Sequence, residues 1–482
     1  MSVTVPMREL EPESEQLEPR VFDAPGCPAD PRALEWLRSG LSGADLAAPP
    51  VVLPDFHHKG DKEMPSSIAV ATRETIRPTL TSASLNCGMA LVALDIERPT
   101  EAAVGDFYRR VRERYPFPPT YRRDLTPTEV IDCATEGSHF AARRFGVDPA
   151  ELDRVEEGGH LDVARFGGRD RVRRELPWSV VQLSRIRFGT IGPSNHFIEL
   201  QQVDEVIDPE AAELLGLSAG QITLQFHGGG GSLPGELGVL FGRRKRYPPA
   251  VRVQMAAQKP LYHFGRARSL EELRVRRALY FSRGCPPVER DSEEGERLML
   301  AAAMAMNYGF AFRLSTYASL RDILDRSFGP AGGRLVVDSP HNTIYEESLD
   351  GRPALVHRHN SCRVYPASSQ PGHPIFGRIG RPLLLPGTCR TASYVCVPDW
   401  DAQSGLNSTC HGAGATISDL ARRGVSAIDP DGRATLRFRY SKDTPDAVPH
   451  LDDRGIDDVM QILASSRIAR PVARLRPFAV LN

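Results

Sequence analysis

Apolar residues fall along this chain mostly in short runs, and the runs read as strands more often than as helices. Val51 to Leu53, Ile68 to Thr72, Ser84 to Leu94, Ile222 to Phe226, Leu335 to Val337, Leu355 to Val356, Leu383 to Leu385 and Tyr394 to Val397 are short and mostly apolar, as buried strands are. Ala434 to Tyr440 alternates apolar with charged residues, the period of a half-exposed strand. Helical spacing appears within Glu101 to Tyr115, where Val104, Phe107, Tyr108 and Val111 share a face. A longer stretch places Leu298, Ala301, Ala302, Ala305, Tyr308, Gly309 and Phe312 on one side of a helix capped by Asp291 or Ser292, with Gly329-Pro330 as its latest end. Pro31 to Leu41 and Ile456 to Leu463 predict shorter helices. The strands do not alternate regularly with helices, and no internal repeat is present. The expected fold class is therefore α+β, a single large domain of mixed sheets flanked by helices over residues 49–482. It follows a partly irregular N-terminal extension, residues 1–48, whose first thirty residues are acidic, proline-bearing and weakly apolar.

Composition narrows the class without naming a function. The chain has 482 residues and a net charge of −1, so it is not committed as a whole to a polyanionic partner. Its eight cysteines include no C-x-x-C pair, which argues against a disulfide framework. No charged start followed by an apolar run marks a signal peptide, and no apolar window approaches a membrane span. A cytoplasmic location is the expectation.

The stretch Gly189 to Leu200, GTIGPSNHFIEL, reads as a glycine-punctuated loop running into a strand. Out of it come Asn195, His196 and Glu199. Strand alternation would put His196 and Ile198 on one face and Phe197 and Glu199 on the other, unless a bend brings His196 and Glu199 to one ligand. Cys87, His227 and His341 also follow or sit beside predicted strands, next to small residues. One thiolate and three imidazoles suit a zinc, manganese or cobalt-class ion, and spacing this wide requires the fold to assemble the site. The alternative reading of such a histidine is a buried one with its hydrogen bonds satisfied. In STCHGAG, Ser408 to Gly414, His411 precedes Gly412 and Gly414, where a ligand could approach the backbone. It is either a nucleophile that attacks phosphorus or a histidine packed at a turn. There is no G-x-x-x-x-G-K-[ST], GGGGSLPG fits no G-x-G-x-x-G register, and none of the five lysines lies in K-x-D-G. Histidine is therefore the better candidate for holding a nucleotide covalently.

Taken in order across residues 50 to 482, these segments resemble the RtcB-type RNA ligases. LPDFHHKG resembles the family's P-D-x-H-x-G, SLNCG its D-I-x-C-G, and GTIGPSNHFIE its G-T-L-G-x-G-N-H-F-x-E. AMNYGFAFR, SPHN, VHRHNSCRVYP, LLPGTCRTASYV, STCHGAG and ARLRPFAVLN match further family segments, and the strand ending at His227 matches one by position. The resemblance implies a ligase that joins RNA ends bearing a 3′-phosphate or 2′,3′-cyclic phosphate to a 5′-hydroxyl, in RNA repair or tRNA splicing, using GTP and manganese. It implies His411 as the residue that takes GMP. Cys87, His196, His227 and His341 would be ligands of one or two ions, with the thiolate bridging. Asn195 would contact a phosphate, Glu199 and Ser393 the guanine, and Arg363, Thr388, Gly412 and Gly414 would complete the nucleotide site. An archease-like activator is the partner the resemblance admits beside RNA.

Several positions depart from the family pattern. Ser84 stands where a metal-binding aspartate is expected, leaving a softer donor set that favours Zn2+ over Mn2+. Gly231, His359, Ala415 and Asn482 replace cationic residues, while Arg390 adds a charge where a glycine is expected. Two readings follow: a ligase with altered metal use, or a paralogue acting as a guanylyltransferase, a cyclic phosphodiesterase or a non-ligating RNA-binding protein. Basic clusters at Arg243 to Arg246 beside Tyr247, at Arg109, Arg110, Arg112 and Arg114, and at Arg169 to Arg174 fit an RNA partner, although such runs are often only solvated faces.

Overall fold

In the computed structural model, residues 17–58, 64–81, 84–117, 123–186, 188–192, 196–241, 249–282 and 286–482 are described, with backbone only for 249–255. Two mixed sheets and a long helix organise the chain, as an α+β reading requires. The smaller sheet orders its strands Arg20–Val21, Val51–His57, Ser66–Thr72, Arg352–His359 and Ile344–Leu349. The larger runs Leu383–Leu385, Ser393–Pro398, Ala469–Leu481, Phe197–Val206, Ile222–Gly228, Cys87–Ala93, Arg334–His341, Ser361–Arg363 and Ser408–Cys410, with the Ala434–Arg439 and Lys442–Pro449 hairpin added through the Ala469 strand.

Most of the expected elements are present, and the strands extend past their apolar runs. The run ending at Phe226 continues to Gly228, and the run ending at Val337 continues to His341. Among these extra residues His227 and His341 are polar yet buried and line a cavity, while Asp338 is buried against Arg313. The N-terminal segment docks on the small sheet. Arg20–Val21 pairs in parallel with Val51–Val52, and Ala33, Leu37 and Leu41 of the helical segment pack with Val52, Ile68 and Val70. The basic and aromatic stretch Arg243 to Tyr247 lies outside the described residues.

The helix Glu293–Phe328 is capped by Ser292, whose hydroxyl accepts from the Gly295 amide. From Leu298 to Tyr317 it is buried on every side, so it forms the spine of the core rather than an amphipathic cover. Ala90 and Val92 of the Cys87 strand face this spine. Met89, Leu91 and Ala93 on the opposite face pack against Leu384, Val395 and Leu475. Cys87 shares the Met89 face by strand alternation. Among the described residues no helix is long and apolar enough to cross a membrane.

Candidate active site

Register brings the four metal-ligand candidates to one region. In the antiparallel pairing of the Cys87 and Arg334 strands, Cys87 stands directly opposite His341. On the other side His227 stands opposite Met89, two residues from Cys87 and on the same face. Phe197, the residue after His196, also pairs with His227. Three neighbouring strands thus present Cys87, His227 and His341 side by side. The Cys87 Sγ lies 3.2 Å from His227 Nε2, and the two Nε2 atoms of His227 and His341 are 3.0 Å apart. The donor atoms of these three residues all fall within 4.8 Å of one another. His196 stands apart from that trio, with its Nε2 3.5 Å from Cys87 Sγ. The sulfur is therefore within reach of both His196 and the His227–His341 pair.

These separations fit a cation. Ligands held at about 2.0–2.3 Å in tetrahedral geometry lie roughly 3.3–3.6 Å from each other, close to the observed spacing. Two imidazole nitrogens facing at 3.0 Å can share only one proton, whereas an ion accepts both lone pairs. Burial lowers the His196 pKa, and burial followed by the neighbouring His411 lowers that of His341, so both rings stay neutral as ligands must. Burial pushes the Cys87 thiol up to about 12, with the Arg313 guanidinium opposing it, so a cation is what would hold the thiolate.

Behind Cys87 lies a polar clamp that the sequence reading did not single out. Arg313, fully buried on the long helix, donates from Nε and Nη2 to the Asp338 carboxylate at 2.8 and 2.7 Å. Its Nη2 also reaches Asn86 Oδ1 at 2.8 Å, and its Nη1 reaches the Asn86 carbonyl. Asn86 adopts a φ of 57°, the left-handed region that asparagine tolerates best after glycine. Gly88 is required here: a Cβ would lie 2.7 Å from Pro340 Cα and 2.9 Å from Arg313 Cζ. The visible signal was AMNYGFAFR, which ends on this arginine.

The metal-ligand candidates open onto a cavity of about 870 Å³. His411 lies on its wall, just past the strand Ser408–Cys410, with its ring centroid 4.7 Å from that of His341. Glu199, Ser393, Thr388, Gly412 and Gly414 line the same cavity. His196, Phe197 and Glu199 all face it, because the strand begins only at Phe197 and alternation does not extend back to His196. Asn195 lies outside the described residues. Arg363, expected at the nucleotide, is not on the cavity wall. It is engaged by Glu157 at 2.9 Å and Glu347 at 3.2 Å and packs over the Tyr345 and Tyr365 rings. Asp55 and His57 also line the cavity. The Asp55 carboxylate accepts from the Thr416 amide at 2.6 Å and hydroxyl at 2.8 Å, which ties the Val51 strand to the helix that follows His411.

Of the departures, Ser84, His359, Ala415 and Asn482 are on the wall. Arg390 is not, and its Nε donates to the Pro449 carbonyl at 3.0 Å. Asn482 accepts from Arg437 Nε at 2.8 Å. The arginine run after Val104 is largely self-neutralised: Arg109 pairs with Asp106 and Glu113, Arg110 with Asp106, and Arg112 with Asp443.

Comparison with known proteins places this arrangement. Residues 44–482 match the family described as tRNA-splicing ligase RtcB. A tRNA-splicing ligase RtcB of Pyrococcus furiosus is 27% identical over 385 residues, covering 73% of this chain and 35% of the relative. That of Thermococcus kodakarensis is 26% identical over 471 residues, covering 89% of this chain and 86% of the relative. An RNA-splicing ligase RtcB of Mycobacterium bovis is 29% identical, covering 72% of this chain and 75% of the relative. The chain spans 35%, 39% and 37% of the length of the three Pyrococcus relatives. The match to the family over residues 44–482, most of the chain, shows that it belongs to the RtcB family.

Proposed function

We propose that this protein is a GTP- and metal-dependent RNA ligase that joins a 3′-phosphate or 2′,3′-cyclic phosphate end to a 5′-hydroxyl end. The observation that carries the reading is one cavity whose wall holds a Cys–His–His donor cluster and, at 4.7 Å from His341, the ring of His411. Cys87, His196, His227 and His341 would hold one or two ions, and such an ion supplies charge screening for a triphosphate. Within this reading His411 attacks the α-phosphorus of GTP, forming a P–N bond as pyrophosphate leaves. A cyclic phosphate is first opened by water to the 3′-phosphate with a free 2′-hydroxyl; the GMP passes to the RNA 3′-phosphate, the 5′-hydroxyl attacks that activated phosphate, and GMP departs. The test is joining of a 3′-phosphate strand to a 5′-hydroxyl strand with GTP and Mn2+, Zn2+ or Co2+ in turn. Absence of joined product with every metal would reject it.

Ser84 supports a second reading, altered metal use without full ligation, because a neutral hydroxyl lines the cavity where a carboxylate ligand was expected. Under that reading the protein opens a cyclic phosphate without GTP. Ser84→Asp is expected to tighten Mn2+ binding by about tenfold or more, the effect of adding a charged hard ligand, as read by calorimetry. Unchanged Mn2+ affinity would count against the lost-ligand argument.

Glu199 is assigned here to the guanine. Burial pushes its carboxyl up to about 7, with the Gln201 side chain at 2.8 Å pulling it down. The guanine N–H donors require the ionised form, so GTP affinity should rise as pH increases through about 7. Stability without nucleotide should move the other way. A carboxyl raised above its unfolded value of about 4.3 stabilises fully below that pH and loses its contribution as pH rises through the folded value. Glu199→Gln should remove the pH step in GTP binding and weaken binding by about tenfold or more, the scale of a lost charged hydrogen bond.

A further inference from the structure

Far from the Cys87–His411 cavity, the helical side of the molecule holds a smaller cavity of about 290 Å³. Arg171, Arg174, Arg266, Arg268, Arg276 and Arg297 line it. Among the described residues only Glu175 and Glu293 oppose them on the wall. Arg297 on its wall and Arg313 behind Cys87 are sixteen residues apart on the same helix, about 24 Å along it at ~1.5 Å per residue.

The charge in this cavity is not balanced by the protein. One carboxylate, Glu175, serves three guanidiniums: Arg297 at 3.1 Å, Arg266 at 3.5 Å and Arg171 at 3.8 Å. Arg276 turns to Glu294 at 2.6 Å and Glu272 at 3.6 Å, which still leaves four carboxylates, Glu175, Glu272, Glu293 and Glu294, against the six guanidiniums. Among the described residues, no carboxylate lies within ion-pair distance of Arg174 or Arg268. A structural ion-pair network would be near neutrality, and this one keeps an excess of cations around open space.

Arg297 is the sharper observation. Its side chain is 2% exposed, and its Nη2 is buried with no hydrogen-bond partner. A guanidinium cannot escape this cost by losing its proton. Its position is fixed by stacking over Tyr262 at 4.5 Å and Phe241 at 5.5 Å, by Nε on Glu175 and by Nη1 on Glu294 at 3.3 Å. His263 beside it is pushed down to about 2 by burial and then by Arg297, so the ring stays neutral, with its Nδ1 at 3.3 Å from Arg297 Nη1. Arg297 thus stands on the wall of an arginine-lined cavity as a fixed charge, preorganised for an anion there.

We propose that this cavity is a second phosphate-binding site, independent of the catalytic cavity. Its ligand chemistry is a phosphate oxyanion, from one of two sources. One is the backbone of a bound RNA strand, which rests on the ligase reading: at ~3.4 Å per phosphate, roughly seven nucleotides cover the distance from Arg297 to Arg313. The other is a free phosphate or pyrophosphate.

The test uses the full chain and the double variant Arg174→Ala/Arg268→Ala, whose side chains are exposed and whose loss leaves the buried core intact. The probes are inorganic pyrophosphate by calorimetry, and fluorescent single-stranded RNA of about 4 and about 20 nucleotides, titrated across salt concentrations. If RNA occupies the site, the variant binds the long strand about tenfold more weakly, its log–log salt slope falls by ~0.7 per lost contact, and the short strand is unaffected. If a free anion occupies it, the variant loses pyrophosphate binding while both strands bind as before. Equal binding of both probes by the parent chain and the variant overturns the proposal. Trapping of GMP by His411 is measured on the same two proteins: its absence from both would reject the ligase reading and leave the pyrophosphate result standing on its own.

Discussion

Replacing His411 with alanine is expected to abolish the covalent adduct formed from α-labelled GTP. The loss should be on the order of 10⁴-fold or more, the scale of deleting a covalent nucleophile, because no other group can take over a bond it alone makes. The adduct of the unaltered protein should be labile in acid and stable in alkali, as a P–N bond is. Two features of the cavity make His411 the candidate. It follows the strand Ser408–Cys410 on the wall that also carries Gly412 and Gly414, and its ring approaches His341 of the donor cluster. The donor atoms of Cys87, His227 and His341 do not depend on it, so metal affinity in His411→Ala should stay within about threefold of the parent, the scatter of an indirect effect. A labelled adduct of normal yield in the variant would move the nucleophile elsewhere.

Legibility of the fold in the amino-acid pattern followed burial. Apolar runs such as Ile222 to Phe226 located the central strands. Their ends were under-read because His227 and His341 are polar residues buried against a cavity, and a period-two pattern cannot distinguish that from solvent exposure. The strand Ala469–Leu481 was recognisable only through the family resemblance. Pro471 and Pro477 argue against a central strand, and the structure accommodates them where the register slips, opposite Cys396 and before Ala479. The helix Pro127–Glu136 went unread although Thr126 and Glu129 form a capping box at its start. The candidate ligands were found by their neighbours in sequence, but their convergence depends on a pairing register that no local pattern encodes. Arg363 shows the reverse: its motif matched, yet Glu157 and Glu347 hold it away from the cavity.

Arg313→Met is expected to be the most destabilising single change near the site. The substitution leaves the Asp338 carboxylate, which is 3% exposed, without its bidentate partner. Breaking a buried pair from one side costs about 3–5 kcal/mol. At ~2.1 cal/mol/K per residue over 482 residues, that corresponds to a fall in Tm of about 3–5 °C. The same change frees Asn86, which Arg313 holds through both its carbonyl and its side-chain oxygen one residue before Cys87. Metal affinity should therefore fall by about 10–100-fold, the usual effect of removing a group that positions a ligand. The double variant Arg313→Met/Asp338→Leu separates the two effects. Removing both charges restores most of the stability, since an apolar pair of similar volume is often neutral. It does not restore metal affinity, because Asn86 is still unheld. Recovery of both together would show that the clamp acts only through global stability, and recovery of neither would show that Arg313 supports the core through its packing against Phe310 at 5.5 Å rather than through its charge.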